Sequence, residues 1–397
     1  MKRLLSLSTL FPNAVAPRFG TFVARSLEAL AARDDWQVTV VNPIGIPPIA
    51  FGKYRDLVGA TVHGTENGVE VHRPAYTLVP RIGARINPAI IARKVLPLAQ
   101  RLHDATPFDL VDAQFFYPDG PAAAWIAHRL GVPLAIKARG SDITYWGARA
   151  FAADQMLDAA RRAVGLLAVS EALARDMAAM GMERGKIAVH YTGLDRDRFR
   201  PLGHSGLRAR LGEALGLTLH ENRPLLVTTG ALIARKGQDL AIGALADLPD
   251  ARLLLVGTGE DEQHLRRLAA DLRVAERVHF IGSVDHDLLP LILSAADAMI
   301  LPSRSEGLAN AWVEALACGT PVVTTDVGGV RELIRSPDGG ILVERTAEAV
   351  AAGVREVLAR RVPPGRVAAL VEHFGWAEHA AHLATLYDRF AAGLPIR

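Results

Sequence analysis

AMILPSRSEGLANAWVEALACGTPVVTT, residues 298–325, is the stretch whose reading decides the fold. AMILP ends as a short apolar strand, SRSEG has loop composition, and LANAWVEALACG carries a helical pattern stopped by Gly319, after which PVVTTD is apolar and β-branched again. A strand, a helix and a strand in so short a span form a parallel unit, because parallel neighbours need a crossover. Two acids sit inside this otherwise apolar run, Glu306 at the mouth of the predicted helix and Glu314 among Trp312, Val313, Ala315, Leu316 and Ala317.

The same alternation runs through the chain. Strands are predicted at LLSLS, QVTVVNP, VEVHR, DLVDAQ, LAIKA, GLLAVS and KIAVHY in the first half. In the second they are predicted at LLVTTGAL, RLLLVG, RVHFIG, AMILP, PVVTTD and GILV. Helices are predicted between them, among them Gly20 to Ala32, Glu171 to Met180, Gln238 to Leu245, Glu260 to Leu272 and Ala309 to Cys318. At 397 residues the chain exceeds the usual size of one core, so length favours two domains of about 200 residues. The fold class is therefore α/β, as two tandem Rossmann-like doubly wound parallel-sheet domains facing across a cleft. The polar stretch TGLDRDRFRP (192–201) places the boundary, giving residues 1–192 and 193–375, with a last helix in 376–397 packing back on the first domain.

Half the residues are apolar and evenly spread, which excludes disorder. The single cysteine, Cys318, cannot form an internal disulfide, and the expected compartment is the reducing cytoplasm. Lys2-Arg3 followed by LLSLSTLF mimics a leader, but Ser6, Ser8 and Thr9 interrupt it and the next helical pattern needs it as a strand. No apolar run reaches the roughly 18 residues of a membrane span. Residues 1–190 hold 22 Lys+Arg against 16 Asp+Glu, and the remainder 23 against 26, so the halves carry +6 and −3. Residues 71–103 contain Arg73, Arg81, Arg85, Arg93, Lys94 and Arg101 and no acid. This stretch reads either as a solvated helix face or as a surface drawn to anionic lipid on the inner face of the cell membrane. Scarce aromatics and modest total charge argue against nucleic acid.

A buried carboxylate costs several kcal/mol (on the order of 2–5) unless it is paired, so Glu314 needs a partner. Read as helical, Glu306 and Glu314 lie about 12 Å apart along the axis, a spacing suited to a ligand with a hydroxylated sugar at each end and a phosphate bridge between. Ser303 three residues before Glu306 offers a capping box instead, and an Arg salt bridge is the alternative for Glu314. Gly307 and the N–H groups after it suit an anion or sugar hydroxyls. TTGALIARKGQDL (228–240) brings Arg235 and Lys236 to a strand-to-helix junction, either as a diphosphate cradle or as a solvated loop. LLLVGTGEDEQ (253–263) has the glycines of a dinucleotide turn, but Glu260, Asp261 and Glu262 would repel a pyrophosphate, so NAD is rejected. Gly20 either lets backbone approach a ligand phosphate or simply starts a helix, and in KARGSDITYW (137–146) Asp142 is either functional or a cap. The histidines lack metal spacing and no acid pair or cysteine cluster suggests a bound ion.

SEGLANAWVEALACGTPVV resembles the E-x7-E motif of glycosyltransferase family 4, the retaining nucleotide-sugar transferases of the GT-B fold. GALIARKGQDLAI, RVHFIG, PSRSEG, DVGGVRELI and FPNAVAPRFGTFV stand in that family's order, and KARGSD resembles its bacterial cell-surface polysaccharide branch. The resemblance implies that Glu306 lies by the donor sugar and Glu314 binds the ribose diol. It also implies that Arg235 and Lys236 neutralise the departing diphosphate, and that Gly307, Leu308, Ala309 and Asn310 offer backbone donors. Gly20 would form the loop under the pyrophosphate, Phe280 and Ile281 would flank the base, and Arg139 and Asp142 would stand on the acceptor side. No metal or other cofactor is implied, the nucleotide diphosphate sugar being a co-substrate and the acceptor a saccharide or lipid-linked saccharide. Three positions depart from the family pattern: Phe19-Gly20 replaces two glycines, Ala231 replaces an Arg, and Arg139 replaces a His. A nucleotide-sugar epimerase of similar shape and a non-catalytic nucleotide-sugar-binding homologue are the alternatives. Incubation with donor alone separates the first, and consumption of the ligand separates the second.

Overall fold

The Val, Leu and Ile runs become the strands of two sheets. The computed structural model describes residues 1–49, 55–79, 83–203, 206–394 and 396. It divides into two units, Met1–Gly193 with Trp376–Arg397, and Leu194–Gly375. Strands of the first unit are β1 (Lys2–Leu7), β2 (Trp36–Val41), β3 (Ile44–Ile46), β4 (Gly64–Glu66), β5 (Val69–His72), β6 (Ala75–Thr77), β7 (Leu110–Ala113), β8 (Leu134–Ala138), β9 (Gly165–Ala168) and β10 (Ile187–Val189). Eight of them form one sheet in the order β10-β9-β8-β7-β1-β2-β5-β4, and β3 pairs with β6 apart from it. Among the described residues, only β4 of this sheet runs antiparallel, against β5. The residues that mimic a leader are the central strand, β1, with Leu4, Leu5 and Leu7 buried. Around the sheet lie α1 (Thr21–Ala31), α2 (Asn87–Ala105), α3 (Asp119–Leu130), α4 (Ala150–Arg162) and α5 (Glu171–Ala179).

The second unit has six parallel strands, β11 (Leu225–Thr229), β12 (Arg252–Val256), β13 (Val278–Gly282), β14 (Ala298–Leu301), β15 (Val322–Thr325) and β16 (Gly340–Val343). Between them run α6 (Leu207–Leu215), α7 (Gln238–Ala244), α8 (Glu262–Asp271), α9 (Leu289–Ala295), α10 (Asn310–Ala317), α11 (Val330–Leu333), α12 (Ala347–Arg360) and α13 (Pro364–Ala369). The spatial order is β13-β12-β11-β14-β15-β16. Chain direction across the sheet therefore reverses between β11 and β14, and ligands of such sheets bind beyond the carboxyl ends of the strands at that switch. Leu226, Leu253, Ile300 and Val323 from the strands pack with Ala241 and Ile242 of α7 and Val350 and Val354 of α12. Each of the Leu, Ile and Val side chains contributes about 1.5–3 kcal/mol on burial, so the carboxyl-edge loops rise from a rigid base.

The last helix, α14 (Trp376–Ala391), belongs to the first unit. Its Leu383, Tyr387 and Phe390 join the core formed by Leu4, Leu27 and Leu167, and Tyr387 meets Trp36 edge-on at 5.9 Å. Between α14 and the sheet runs a buried polar seam: Lys137 Nζ lies 2.6 Å from His190 Nδ1, and Ser26 Oγ 2.6 Å from His379 Nε2. Tyr387 donates its hydroxyl to Asp112. Burial, the first cause, holds both Lys137 and His190 well below their usual ranges. A side chain on Gly165 would run into the Phe390 ring. Gly165→Ala is expected to cost about 1–3 kcal/mol by overpacking, read as a lower urea midpoint with an unchanged slope.

Candidate active site

The switch between β11 and β14 is where the candidate residues meet. After β11 the chain turns at Gly230, makes a single 3-10 turn over Ala234–Lys236 and enters α7 through Gly237, whose φ is 77°. A Cβ on Gly237 would strike the Pro302 carbonyl, so only glycine lets this loop lie against the loop that follows β14. Arg304 N–H donates to the Arg235 carbonyl at 2.8 Å and ties the two loops together.

On this base two cations converge on one acid. Lys236 Nζ stands 2.7 Å and Arg235 Nη1 3.2 Å from Glu306 Oε1, and Ser303 Oγ donates to the same oxygen at 2.8 Å. Arg235 also donates to the Ser305 carbonyl. Glu306 is 9% exposed, Lys236 14% and Arg235 40%. All these bonds fall on Oε1, which among the described residues leaves Oε2 clear. Removing one partner of a pair this enclosed costs about 3–5 kcal/mol.

Glu306 is not helical. It sits in the loop between β14 and α10, and α10 begins at Asn310 because Ala309 is still extended at ψ 119°. The helical 12 Å spacing to Glu314 and the capping box therefore do not apply; Ser303 and Glu306 touch side chain to side chain instead. Gly307, Leu308, Ala309 and Asn310 lead into the first turn of α10, with Leu308 and Ala309 buried and no side chain capping the end. Among the described residues no side chain accepts from the first-turn N–H groups there.

Glu314 projects from α10 into a cavity of about 260 Å³ lined by Thr229, Gly230, Gly257, Ser283 and His286. Burial alone pushes its carboxyl up to about 7. Among the described residues no cation pairs with it, which sets aside the internal Arg bridge. Phe280 and Ile281, expected to flank the base, are not among the residues that line this cavity. Successive strand residues face opposite sides of a sheet. Phe280 packs on the core, with the Arg266 guanidinium 4.1 Å from its ring centroid. The wall comes from Ser283, Val284 and His286 just beyond β13, and neither apolarity nor periodicity marks those residues. Gly257, also on the wall, was visible only as part of the rejected dinucleotide turn.

In the first unit, Gly20 has φ 71° and opens α1, and a Cβ there would lie 2.6 Å from the Leu10 carbonyl carbon and oxygen. Local packing alone thus demands glycine. The Asp142 carboxylate is fully buried and accepts from the backbone N–H groups of Phe116 (2.9 Å), Arg139 (3.0 Å), Gly140 (2.8 Å) and Ile143 (3.1 Å). Burial pushes its pKa up while those four amides oppose the rise. With its lone pairs spent on backbone, Asp142 holds the turn that carries Arg139 rather than facing a reactant. Arg139 Nη2 donates to Gln114 Oε1 at 2.5 Å, Nε to the Gln114 carbonyl at 3.1 Å, and the guanidinium lies 5.2 Å from the Phe22 ring centroid. Burial lowers its pKa to about 10, so it stays cationic at neutral pH, and its Nη1 is buried without a partner among the described residues. Gln114, which fixes it, carried no sequence signal.

The basic stretch is also corrected. Arg73 is 4% exposed and spent on Glu66, at 2.6 and 2.9 Å, so it is no part of a cationic surface. Arg81 lies outside the described residues, and Arg85, Arg93, Lys94 and Arg101 are exposed. Among the described residues no group of three or more His, Cys, Asp or Glu is placed to hold a metal ion, and no helix is long and apolar enough to cross a membrane.

Residues 19–193 match the family described as Glycosyl transferase 4-like domain, and residues 216–369 match Glycosyl transferases group 1. The chain is 32% identical to D-inositol 3-phosphate glycosyltransferase 2 of Catenulispora acidiphila over 325 residues, 73% of each chain. This chain belongs to glycosyltransferase family 4. The family 4 glycosyltransferase is also 28% identical to TuaC of Bacillus subtilis, described as a teichuronic acid biosynthesis glycosyltransferase, over 89% of this chain and 88% of that one. It is 36% identical to a GDP-mannose-dependent α-(1-6)-phosphatidylinositol monomannoside mannosyltransferase of Mycolicibacterium smegmatis, over 49% of this chain and about half, 54%, of that relative's length. Among solved structures, sucrose-phosphate synthase from Thermosynechococcus elongatus superposes with a TM-score of 0.76 at 21% identity, covering 99% and 100% of the two chains. HepE of Anabaena, solved with UDP-glucose, superposes with a TM-score of 0.74 at 20% identity, covering 98% and 100%. These likenesses show the GT-B fold of the family 4 glycosyltransferase.

Proposed function

We propose that this glycosyltransferase moves a sugar, with retention, from a nucleotide diphosphate sugar to a hydroxyl of a saccharide or lipid-linked saccharide acceptor in cell-surface polysaccharide or glycolipid synthesis. The observation that carries the reading is the convergence of Arg235, Lys236 and Glu306 at the β11/β14 switch, beside the cavity that holds Glu314. The bond from the anomeric carbon to the phosphate oxygen breaks with its electron pair going to the diphosphate, and Lys236 and Arg235 stabilise that charge. Retention puts the acceptor oxygen on the face the diphosphate leaves, so the hydroxyl proton passes to the departing oxygen as the new bond forms. Glu306 holds the sugar hydroxyls, Glu314 the ribose diol, and the backbone of Gly307 to Asn310 the phosphate. Gly20 brings backbone near the pyrophosphate as the family resemblance implies, and Arg139 serves the acceptor side. The GDP-mannose dependence of one relative and the UDP-glucose bound to one structural neighbour support the donor class. The lipid acceptor named for the first supports the exposed α2 cations as neighbours of an anionic inner membrane face.

A screen of uridine, guanosine and adenosine diphosphate sugars should find one that releases nucleoside diphosphate only when an acceptor is supplied. Release should persist in excess EDTA, since two side-chain cations stand at the leaving group. Donor isomerised without acceptor would overturn the reading, as would turnover abolished by the chelator and restored by a divalent ion.

A further inference from the structure

The first unit holds a cation that is oriented with care and balanced by nothing. Arg139 stands directly after β8 and Gln114 directly after β7, the strand that meets β1 where the order of this sheet reverses. Ligands of such sheets bind beyond the carboxyl edge at that reversal. Gln114 takes two of the five guanidinium N–H groups, Nε through its carbonyl at 3.1 Å and Nη2 through Oε1 at 2.5 Å. Gln114 is itself fixed, because its Nε2 donates to Asp112 Oδ2 at 2.5 Å and the same oxygen accepts the Tyr387 hydroxyl. Arg139 nevertheless forms no ion pair among the described residues. Asp142 spends its oxygens on backbone N–H groups, and Asp112 Oδ2 serves Gln114 and Tyr387. Nη1 is buried with no hydrogen-bond partner among the described residues, while the residue as a whole is only half-buried. Enclosing a cation without an opposite charge is costly, and a purely structural role would be met by a neutral donor to Gln114.

We infer that the acceptor is anionic, carrying a carboxylate or phosphate group that Arg139 binds through Nη1 and the remaining N–H of Nη2. These groups form the planar fork whose geometry matches paired carboxylate or phosphate oxygens. Gln114 holds the fork in place before the ligand arrives, so little order has to be imposed on binding. A neutral acceptor leaves the cation unpaired and is discriminated against for that reason. A uronic acid and a phosphorylated sugar share the required chemistry. The inference rests on the reading of Arg139 as an acceptor-side group and adds the acceptor's charge, which that reading leaves open.

Binding is read first, on the full chain without donor. The probes are methyl glycosides of glucuronic, galacturonic and mannuronic acid, the 6-phosphates of glucose, galactose and mannose, and the neutral parent sugars. Calorimetric titration is expected to find an anionic probe that binds at least about tenfold more tightly than its neutral parent. That preference should vanish in R139Q, be weakened in R139K, which keeps the charge and loses the fork, and survive in R235Q/K236Q, which removes the cations of the second unit. Should R139Q fail to fold in a thermal scan, R139K carries the comparison. Preference for the uronides identifies a carboxylate, and preference for the sugar phosphates a phosphate. Turnover is read second, with whichever donor the screen finds, and the anionic acceptor should show the higher kcat/KM in the unsubstituted chain alone. Binding that follows Arg139 without transfer to the bound sugar leaves the anion site standing and overturns the acceptor reading. Transfer to charged and neutral acceptors alike, no anion bound by the unsubstituted chain, or a preference lost in R235Q/K236Q rather than at Arg139 overturns the inference and leaves the transferase reading untouched.

Discussion

Replacing Lys236 with alanine is expected to slow sugar transfer by about 10²–10³-fold, the range seen when one preorganised group that stabilises developing charge is removed. Nζ stands 2.7 Å from Glu306 Oε1 in a site where the lysine is 14% exposed, so its charge acts with little screening. The substitution also strands Glu306 with Arg235 and Ser303, and part of any loss is structural. Glu306→Gln in the same chain removes that stranded charge. The double variant is therefore expected to regain thermal stability over Lys236→Ala, which measures the structural part of the loss. Turnover near the unsubstituted rate for Lys236→Ala, measured as nucleoside diphosphate release at saturating donor, would remove Lys236 from the mechanism. On the proposed reading, the donor diphosphate replaces Glu306 as the counter-ion of both cations at the switch point.

Glu314→Gln is expected to stabilise the protein at alkaline pH and to weaken donor binding. Folding raises this carboxyl from 4.5 to about 7. The folded state then holds the proton more tightly than the unfolded state. Any stability the group adds is present below the unfolded value and is lost as pH rises through the folded one. At about 1.4 kcal/mol per pH unit between the two titrations, the ionised group costs on the order of 3–4 kcal/mol above pH 7. Glutamine removes that cost, so the variant should melt several degrees higher at pH 8 and match the unsubstituted chain near pH 4. A ribose diol donating to the carboxylate would recover the cost through hydrogen bonds to a charged group, each about 1.5–3 kcal/mol. Nucleoside diphosphate affinity should thus fall by about 10–100-fold in Glu314→Gln. Binding near pH 7 should release a proton from the unsubstituted chain and none from the variant, which calorimetry in buffers of different ionisation enthalpy reads directly. Unchanged affinity and unchanged proton release would place the ribose elsewhere.

Both sheets were legible because their strands are continuous Val, Leu and Ile runs, as burial on two faces demands. β4 was not, since Gly64–Glu66 is exposed on both faces and carries no hydrophobic signal; β3 and β6, three residues each, are too short for a period to show. Within the site, Arg235, Lys236, Glu306 and Glu314 stood out as charges amid apolar neighbours. Their pairing did not, because a helical reading of Glu306 set it along an axis with Glu314 rather than in a loop against Lys236. Asp142 shows the same limit. A cap and a carboxylate enclosed by four amides look identical in one dimension, and only the turn from β8 through Gly140 distinguishes them.

The placement of α14 has a consequence for biogenesis. Leu383, Tyr387 and Phe390 complete a core whose other members begin at Leu4, and the whole of Leu194–Gly375 is translated in between. Domains made of one continuous segment can fold as they leave the ribosome, amino-terminal first. Here the order is inverted: the second unit can close while the first still exposes the apolar strip that α14 will cover. The nascent chain must keep that strip soluble until α14 arrives, and a ribosome stalled before α14 would release a molecule whose second unit is finished and whose first is not.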